Sequence, residues 1–369
     1  MAIAGRPEDS PAADSAADAL REAAFVRLLA SDDADSLAAA GLLGRALAER
    51  DVPFQARVTG RDTAATDDAT TVHIGIEGGD LTLSRKPSAS ETAVGIARDL
   101  GGDPDPALAL AGSFPTGFEE GSTLADAREH DLVEQRPGVT MPVDDLVDGL
   151  AHTTLVRAPF SGDEEAAAAA LDGRDDPREI ASLLALLVAS ADNATPRAAE
   201  SVARALRPYT ITGNDERMID ERPATVGGYA DVLRACARER PGVGLALALG
   251  HDVWDAALAA WRTHGERAHA ALDGATTERH RGLFVARVDD APLATVARLL
   301  CDFRSPEPVA LAVSETRAAA AASDEVNIGE RMDAAAAAAG GDGDGSARRG
   351  RARFEDADTF VTAFREASA

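Results

Sequence analysis

The clearest hydrophobic pattern of the chain lies between residues 25 and 47. The apolar run at 25–29 (FVRLL) predicts a buried strand. Leucine, alanine and glycine at 37–47 (LAAAGLLGRAL) predict a helix with small residues on its packing face. An acidic turn, SDDADS, separates the two elements. The stretch is therefore predicted to form a strand, a turn and a helix in succession.

The same succession of strands and helices continues along the next part of the chain. Short apolar or alternating runs predict three more strands, at 52–58, 71–76 and 81–83. Because strands that alternate with helices form parallel sheets, this region is predicted to be α/β.

Asp33 and Asp35 lie in the acidic turn, where two interpretations stay open. In α/β sheets, ligands bind at the carboxyl ends of the strands, and two aspartates two apart in an extended segment would point to one side. Such a pair would invite a divalent metal. Alternatively, Asp35 or Ser36 caps the following helix, a contribution of about 1 kcal/mol.

Amphipathic helices dominate the middle of the chain, from about residue 120 to 275. Three of them are predicted at 144–151, 177–190 and 196–206, with proline and glycine between them. His264 and His269 have no acidic partner at ligand spacing, so we expect them to be surface residues.

From residue 282 the pattern changes to strand, helix, strand. These elements are predicted at 283–288, 293–301 and 308–313, and a last helix at 357–367. Between them lies a segment rich in glycine and arginine, GGDGDGSARRGRARF at 340–354.

The glycine and arginine segment has the composition of an anion site. Successive glycines allow backbone N–H groups to converge on an anion, and the neighbouring arginines supply positive charge. The residues predicted to bind nucleic acid are Gly343, Gly345, Ser346, Arg348, Arg349 and Arg351.

A second interpretation of the same segment is a charged edge strand. If a strand begins at Arg349, then Arg349, Arg351 and Arg353 line one face, and nearby acidic residues would pair with them. A calcium loop is excluded, because the position of its bidentate glutamate falls on Arg353.

The charge of the chain restricts its partners. Among 369 residues the net charge is −26, and Lys86 is the only lysine. This composition indicates adaptation to molar salt, where the Debye length falls to about 3 Å at 1 M. Such a surface repels nucleic acid as a whole, so any phosphate contact requires a local arginine cluster.

Cysteine usage and hydropathy point to the cytoplasm. Cys236 and Cys301 are far apart in sequence, which fits a reducing compartment better than a disulfide framework. We find no secretory signal pattern and no apolar run long enough to span a bilayer, so no membrane association is expected.

The stretch at 25–47 resembles motif I of the DHH phosphoesterase superfamily, the RecJ-like nucleases, which reads His-x-Asp-x-Asp-Gly. Asp33 and Asp35 match the two aspartates, while Ser31 stands for the histidine and Ser36 for the glycine. The order of parts from 282 to 354 is similar to the DHH-associated substrate-binding domain, with Asp344 in place of its histidine.

The resemblance implies the fold and domains of a halophilic archaeal RecJ-like protein. We expect a flexible lead-in at 1–20, a DHH-type parallel-sheet domain at 21–150 and a helical connector at 151–278. A smaller C-terminal α/β domain of the DHH-associated type would follow at 279–369.

Most metal ligands of the family are replaced in this chain. The segment Ser84, Arg85, Lys86 and Pro87 stands where Asp-His-His is expected, and Pro115 and Thr116 stand at the final aspartate. Glu77 is the nearest match to the aspartate after the third strand. This loss resembles the nuclease-inactive cofactor of the replicative helicase in the same lineage.

Two functions follow from the resemblance. The first is a catalytically inactive protein without cofactor, which binds single-stranded nucleic acid or a partner such as a GINS-type complex in DNA replication or repair. The alternative is a single-strand-specific exonuclease or phosphodiesterase that uses Mn²⁺ or Mg²⁺ on Asp33, Asp35 and Glu77. Ligand count favours the first, because two-metal hydrolysis needs ions about 4 Å apart with several donors each.

Overall fold

The chain folds into two compact units, each built from two segments of sequence. The first unit comprises Met1–Gln135 and Tyr209–Ala260, and the second comprises Arg136–Pro208 and Trp261–Ala369. The structure is a computed structural model that describes residues 13–59, 69–85, 88–114, 122–191, 194–212 and 223–367. The limits of the two units differ from the boundaries expected at 150 and 278, so the three-part division stays a prediction.

The first unit contains a parallel sheet of four strands. They are β1 (Val26–Ala30), β2 (Phe54–Val58), β3 (Thr70–Ile74) and β4 (Leu81–Leu83), in the order β2-β1-β3-β4. All three pairings are parallel. A two-stranded antiparallel ribbon joins β5 (Val133–Gln135) to β6 (Tyr209–Ile211). The strands predicted before residue 84 are thereby confirmed, with small changes at their ends.

Seven helices of the described residues belong wholly to the first unit. They are α1 (Ala13–Glu22), α2 (Ala34–Glu49), α3 (Ala89–Asp99), α4 (Pro106–Ser113), α5 (Ser122–Glu129), α10 (Val226–Glu239) and α11 (Pro241–Ala248). From Ala13 onward, the segment expected as a flexible lead-in is α1, whose Ala17 and Leu20 are buried. Residues 1–12 lie outside the described part.

Helix α2 is buried along most of its length, and its small residues explain why. Gly41 faces α11 so closely that a Cβ there would lie 2.4 Å from the carbonyl oxygen of Ala248. Leu37, Leu42 and Leu43 are almost fully buried around it. The alanine and glycine pattern seen in the sequence therefore lets neighbouring helices approach α2 directly.

The second unit contains a mixed sheet of six strands. They are β7 (Thr276–His280), β8 (Leu283–Arg287), β9 (Val309–Val313), β10 (Arg317–Ala322), β11 (Asp342–Gly345) and β12 (Arg349–Arg353), in the order β11-β12-β10-β9-β8-β7. Only β8 and β9 are parallel. The strands predicted at 283–288 and 308–313 are confirmed, whereas β7 and β10 were not predicted.

Some helices of the second unit pack against this sheet, and others pack against neighbouring helices. They are α6 (Leu146–His152), α7 (Glu164–Leu171), α8 (Pro177–Ala189), α9 (Pro196–Ala205), α13 (Leu293–Leu299), a π-helical segment (Leu300–Arg304), α14 (Ile328–Ala338) and α15 (Ala357–Glu366). Helix α12 (Trp254–Gly274) contributes residues to both units. None of the helices within the described residues combines the length and the hydropathy required to cross a bilayer.

Alternation along the central strands separates two cores in the second unit. Val309, Leu311 and Val313 of β9 pack in one core with α14 and α15. Ala310 and Ala312 face the other core, which contains α13. Since successive side chains of a strand point to opposite faces, each strand contributes to both cores.

His264 and His269 of α12 are buried, so the prediction of surface histidines is wrong. The Nε2 atom of His264 lies 2.9 Å from Thr295 Oγ1, and the Nε2 atom of His269 lies 3.0 Å from the carbonyl oxygen of Thr153. Thr295 and Thr153 lie far from these histidines in the sequence, so the spacing of neighbouring residues does not reveal them as partners.

The glycines of β11 allow α14 to pack directly on the sheet. A Cβ at Gly343 would lie 2.5 Å from backbone atoms of Met332, which cannot move without displacing α14. We therefore predict that Gly343→Ala lowers the free energy of unfolding by about 1–3 kcal/mol, the usual effect of overpacking. Urea unfolding in molar KCl, followed by circular dichroism, measures this change.

Gly274→Ala is the matched control, because nothing lies within 4 Å of a Cβ at that position. We expect its unfolding midpoint to equal or exceed that of the wild type. Equal stability of the two variants would show that α14 and β11 do not constrain Gly343.

Candidate functional site

Asp33 caps helix α2 at the carboxyl end of β1. Its backbone is extended, and its side chain accepts a hydrogen bond from the backbone N–H of Ser36 at 2.9 Å. Helix α2 begins at Ala34, so Asp35 already belongs to the first helical turn. The cap predicted at Asp35 or Ser36 is therefore wrong by two or three residues, and the two aspartates do not share an extended segment.

Asp35 is buried against the N-terminus of α3. Its carboxylate accepts hydrogen bonds from the Ser88 hydroxyl (2.6 Å), the Ala89 N–H (2.8 Å), the Ser90 N–H (2.9 Å) and the Ser90 hydroxyl (2.7 Å). Burial raises the pKa of Asp35, although these donors oppose the shift. The carboxylate thus joins α2 to α3 and complements the orphan N–H groups of a helix start.

Arg85 brings a positive charge to the same edge of the sheet. It lies just after β4, and its NH2 group is 3.0 Å from Asp33 Oδ2. The same NH2 group donates a hydrogen bond to Ser31 Oγ at 2.6 Å. The guanidinium therefore contacts two positions of the predicted motif I, Ser31 and Asp33.

Gly75, directly after β3, provides the room for this arrangement. Its φ of +71° lies in the left-handed region. A Cβ there would lie 2.2 Å from Ser36 Oγ and 3.1 Å from Arg85 Nε. A side chain at this position would collide with both groups, so the edge requires glycine.

Among the residues that the structure describes, the other acidic side chains of this region do not complete a metal site. Asp32 forms an ion pair with Arg238 of α10 at 2.6 Å. Glu77 is exposed, and its carbonyl oxygen lies 3.0 Å from His73 Nδ1. Lys86, Pro87, Pro115 and Thr116 lie outside the described residues.

The described residues do not fit the pair of metal ions that the DHH superfamily implies. Among them, no trio of histidine, cysteine, aspartate or glutamate side chains that includes Asp33 or Asp35 lies close enough to hold one ion. The interpretation of Asp33 and Asp35 as residual metal ligands stays a prediction.

The second candidate is a hairpin of the second unit, formed by β11, β12 and the turn at 346–348. We call it the arginine hairpin. The glycine loop predicted here is wrong, because Gly343 and Gly345 belong to β11 and pair with β12. Neither glycine has a positive φ, so their N–H groups do not form the predicted anion nest. Ser346 Oγ lies 3.3 Å from the backbone nitrogen of Arg349 and stabilises the turn.

Arginines and aspartates share one face of the arginine hairpin. Strand β12 begins at Arg349, as predicted, and Arg351 pairs in register with Asp344. The Arg351 Nε atom lies 3.2 Å from both carboxylate oxygens of Asp344. Arg348 and Arg349 are exposed at the turn and carry positive charge outward. Strand β12 lies between β11 and β10, so the interpretation as an edge strand is wrong, although Arg351 does pair with a nearby acidic residue. Nucleic-acid binding stays a prediction.

Comparison with known proteins places the chain in a family. All of it aligns with all of a protein of Haloarcula marismortui named "Uncharacterized protein rrnAC1427", with 50% identity over 386 residues. The chain belongs to the rrnAC1427 family. Residues 275–366 also match the family model described as "Uncharacterized protein rrnAC1427, C-terminal domain". This range contains the whole sheet of the second unit and α13 to α15.

A solved structure shares the fold of this rrnAC1427 family member. CDC45 from Entamoeba histolytica matches 96% of this chain and 98% of its own, with a TM-score of 0.59 and 11% identity. Exonuclease RecJ bound to manganese matches 96% of this chain and 93% of its own, with a TM-score of 0.49 and 15% identity. The predicted α/β fold is confirmed by the likeness to CDC45, and this likeness concerns the fold alone.

Sequence reasoning missed the partners of Asp35 at the start of α3. The Ser-x-x-Glu pattern of Ser88 and Glu91 is the signature of a helix start, and Ser88 caps α3. That signal locates the helix start but not the carboxylate bound there, because Asp35 lies 53 residues earlier in the chain.

The two aspartates differ in their predicted contributions to stability. Asp35→Ala leaves buried donors of Ser88, Ala89 and Ser90 without an acceptor, which costs about 1–3 kcal/mol. Asp33→Ala removes a helix cap and a partly exposed ion pair, worth about 1 kcal/mol. Urea unfolding in molar KCl should therefore give a lower free energy of unfolding for Asp35→Ala than for Asp33→Ala. The reverse order would contradict the structural role of Asp35.

Proposed function

We propose that this chain is a catalytically inactive RecJ-like protein that binds single-stranded nucleic acid in DNA replication or repair. One observation carries the first half of the proposal. The guanidinium of Arg85 lies 3.0 Å from Asp33 Oδ2 and donates to Ser31 Oγ, so a built-in cation contacts motif I.

Metal-dependent hydrolysis needs ligands that are free to bind metal ions, and Asp33 and Asp35 at this edge are already bound to other groups. Two-metal catalysis uses a pair of ions that activate water and stabilise the leaving oxygen. Arg85 repels a cation that approaches Asp33, since like charges raise each other's electrostatic energy. The oxygens of Asp35 already accept four hydrogen bonds from the start of α3.

The arginine hairpin supports the second half of the proposal. In a chain of net charge −26, phosphate is attracted where arginines outnumber carboxylates. Arg348 and Arg349 are exposed, and Arg351 lies on the same face as Arg349. Single-stranded nucleic acid follows such basic surfaces through its backbone phosphates.

The alternative enzyme, a Mn²⁺- or Mg²⁺-dependent exonuclease or phosphodiesterase, would require two rearrangements. Arg85 would have to leave Asp33, and Asp35 would have to release α3. Nothing in the described residues selects a protein partner such as a GINS-type complex, so we limit the proposal to nucleic acid.

The first prediction of this proposal is that the purified protein does not degrade nucleic acid. End-labelled single-stranded DNA and RNA should remain intact with Mn²⁺ or Mg²⁺ in molar KCl, because Asp33 is paired with Arg85 and Asp35 is bound by the start of α3. Gel electrophoresis over several hours measures this outcome.

The control is Asp33→Asn/Asp35→Asn, which removes both carboxylates at nearly constant volume. Degradation by the wild type that disappears in this variant would overturn the proposal and establish the enzyme. Degradation that persists in the variant would identify a contaminating nuclease, which further purification must remove before the wild type is scored.

The second prediction concerns the arginine hairpin. Arg349→Ala/Arg351→Ala should weaken binding of a labelled single-stranded oligonucleotide by at least about tenfold, because each lost phosphate contact also loses counterion release. The slope of log K against log salt should fall by about 0.7 for each lost contact. Fluorescence anisotropy between 0.3 and 1 M KCl gives both quantities.

Two further variants make the test specific. Arg178→Ala/Arg281→Ala removes the same charge from other exposed arginines of the second unit and should change binding little. Asp344→Asn removes the carboxylate beside Arg351 and should strengthen binding. Equal weakening by both arginine pairs would show that overall charge, and not the hairpin, attracts the strand.

A further inference from the structure

Two arginines of the second unit lie directly opposite each other on neighbouring strands. Arg317 begins β10, Arg353 ends β12, and the two residues are partners in the antiparallel register. Residues that face each other across an antiparallel pair of strands point to the same face of the sheet. The sheet therefore carries two positive charges side by side at this place.

The backbone hydrogen bonds bring these two side chains as close as the register allows. In the neighbouring pair, the Phe354 N–H donates to the carbonyl oxygen of Thr316 at 3.0 Å. Hydrogen-bonded and non-hydrogen-bonded pairs alternate along an antiparallel ladder, so Arg317 and Arg353 form a non-hydrogen-bonded pair. The Cα atoms of such a pair are about 4.5 Å apart, and its side chains are the closer ones. Like charges in this position destabilise a sheet.

The acidic residues near the pair do not cancel its charge. Asp290 lies 3.5 Å from the NH2 group of Arg317, but its side chain is 80% exposed and also lies 3.0 Å from Arg267. Asp342 of β11 is opposite Arg353 in register. Within the part of the chain that the structure describes, however, the Arg353 side chain forms no hydrogen bond or ion pair. The charge of Arg353 is therefore not neutralised by the protein.

An anion that accepts hydrogen bonds from both guanidinium groups would remove this repulsion. Each guanidinium presents a planar fork of N–H donors that matches the oxygens of a phosphate group. Both side chains are open to solvent, since Arg353 is exposed and the side chain of Arg317 is 52% exposed. The pair is therefore better suited to a bound phosphate than to the free protein.

The arginine hairpin continues into this pair. Arg349, Arg351 and Arg353 alternate along β12 and lie on one face of it. Alternate residues of a strand are about 7 Å apart, so Arg353 lies one such step beyond Arg351. A polynucleotide that follows β12 from the turn of the hairpin therefore reaches Arg353 with a further phosphate of its backbone.

We propose that Arg317 and Arg353 together bind one backbone phosphate of a single strand that lies along β12. This inference rests on the proposed function and adds two things to it. The first is the path of the strand, from the turn of the arginine hairpin to the end of β12. The second is a contact outside the hairpin, on β10. The bound phosphate also relieves the repulsion that the free protein carries.

The first test measures binding of single-stranded DNA by the full chain. Fluorescence anisotropy with a labelled strand of about 12 nucleotides compares the wild type with Arg317→Gln/Arg353→Gln. We expect at least about fivefold weaker binding by the variant and a fall of about 0.7 in the slope of log K against log salt, because one phosphate contact is lost. Arg178→Gln/Arg281→Gln removes the same charge from other exposed arginines of the second unit and should bind like the wild type.

The outcomes separate this inference from the proposed function. Equal binding by the wild type and Arg317→Gln/Arg353→Gln would overturn the phosphate site and leave the proposed function in place. Equal weakening by both arginine pairs would show that overall charge attracts the strand, and it would also overturn the site. If the wild type binds no strand at all, the proposed function fails and the phosphate site fails with it.

The second test needs no nucleic acid. Arg353→Gln removes one of the two opposed charges, so its urea midpoint should exceed those of the wild type and of Arg281→Gln, an exposed control between β7 and β8. A saturating oligonucleotide should then raise the midpoint of the wild type more than that of Arg353→Gln, since a ligand of the native state stabilises it. A lower midpoint for Arg353→Gln than for Arg281→Gln without the oligonucleotide would show that Arg353 stabilises the sheet and would contradict the proposal.

Discussion

The first unit depends on the buried carboxylate of Asp35. A negative charge away from water is costly unless donors surround it, and the start of α3 supplies four. The arrangement stabilises both the carboxylate and the start of α3, because a helix N-terminus has N–H groups without partners in the helix and carries a partial positive charge. An aspartate whose type and position would suit a metal ligand is thereby used to hold α2 and α3 together.

Because Asp35 is bound by α3, Asp33 and Arg85 set the charge balance at the carboxyl edge of the sheet. Asp33 remains near solvent, and Arg85 neutralises it while also contacting Ser31. The ion pair is partly exposed, so its contribution to stability is small. The ion pair has a larger effect on metal binding, because the fixed guanidinium of Arg85 repels an approaching metal ion. The parallel sheet is thus combined with an edge whose charge the protein itself already neutralises.

In the second unit, one face of the arginine hairpin packs against helices and the other face carries its charges. The glycines of β11 exist because α14 lies directly on them, as the contact between Gly343 and Met332 indicates. The arginines of β12 alternate with Gly350 and Ala352, which face the helices, so they occupy the outer face. A segment that looked like one anion-binding loop is therefore a packed hairpin with a charged face.

The sequence by itself determined the first strand, α2 and the α/β fold, because the apolar runs and the small-residue pattern are local consequences of burial. Three features were decided by tertiary structure. Strand β10 is a run of alanines with low strand propensity, and it is a strand because both of its faces are covered. His264 and His269 are buried by partners far away in sequence. The contacts of Arg85 with Ser31 and Asp33, and those of Asp35 with Ser88, join residues more than fifty positions apart, and only the folded chain brings such charges within reach of one another.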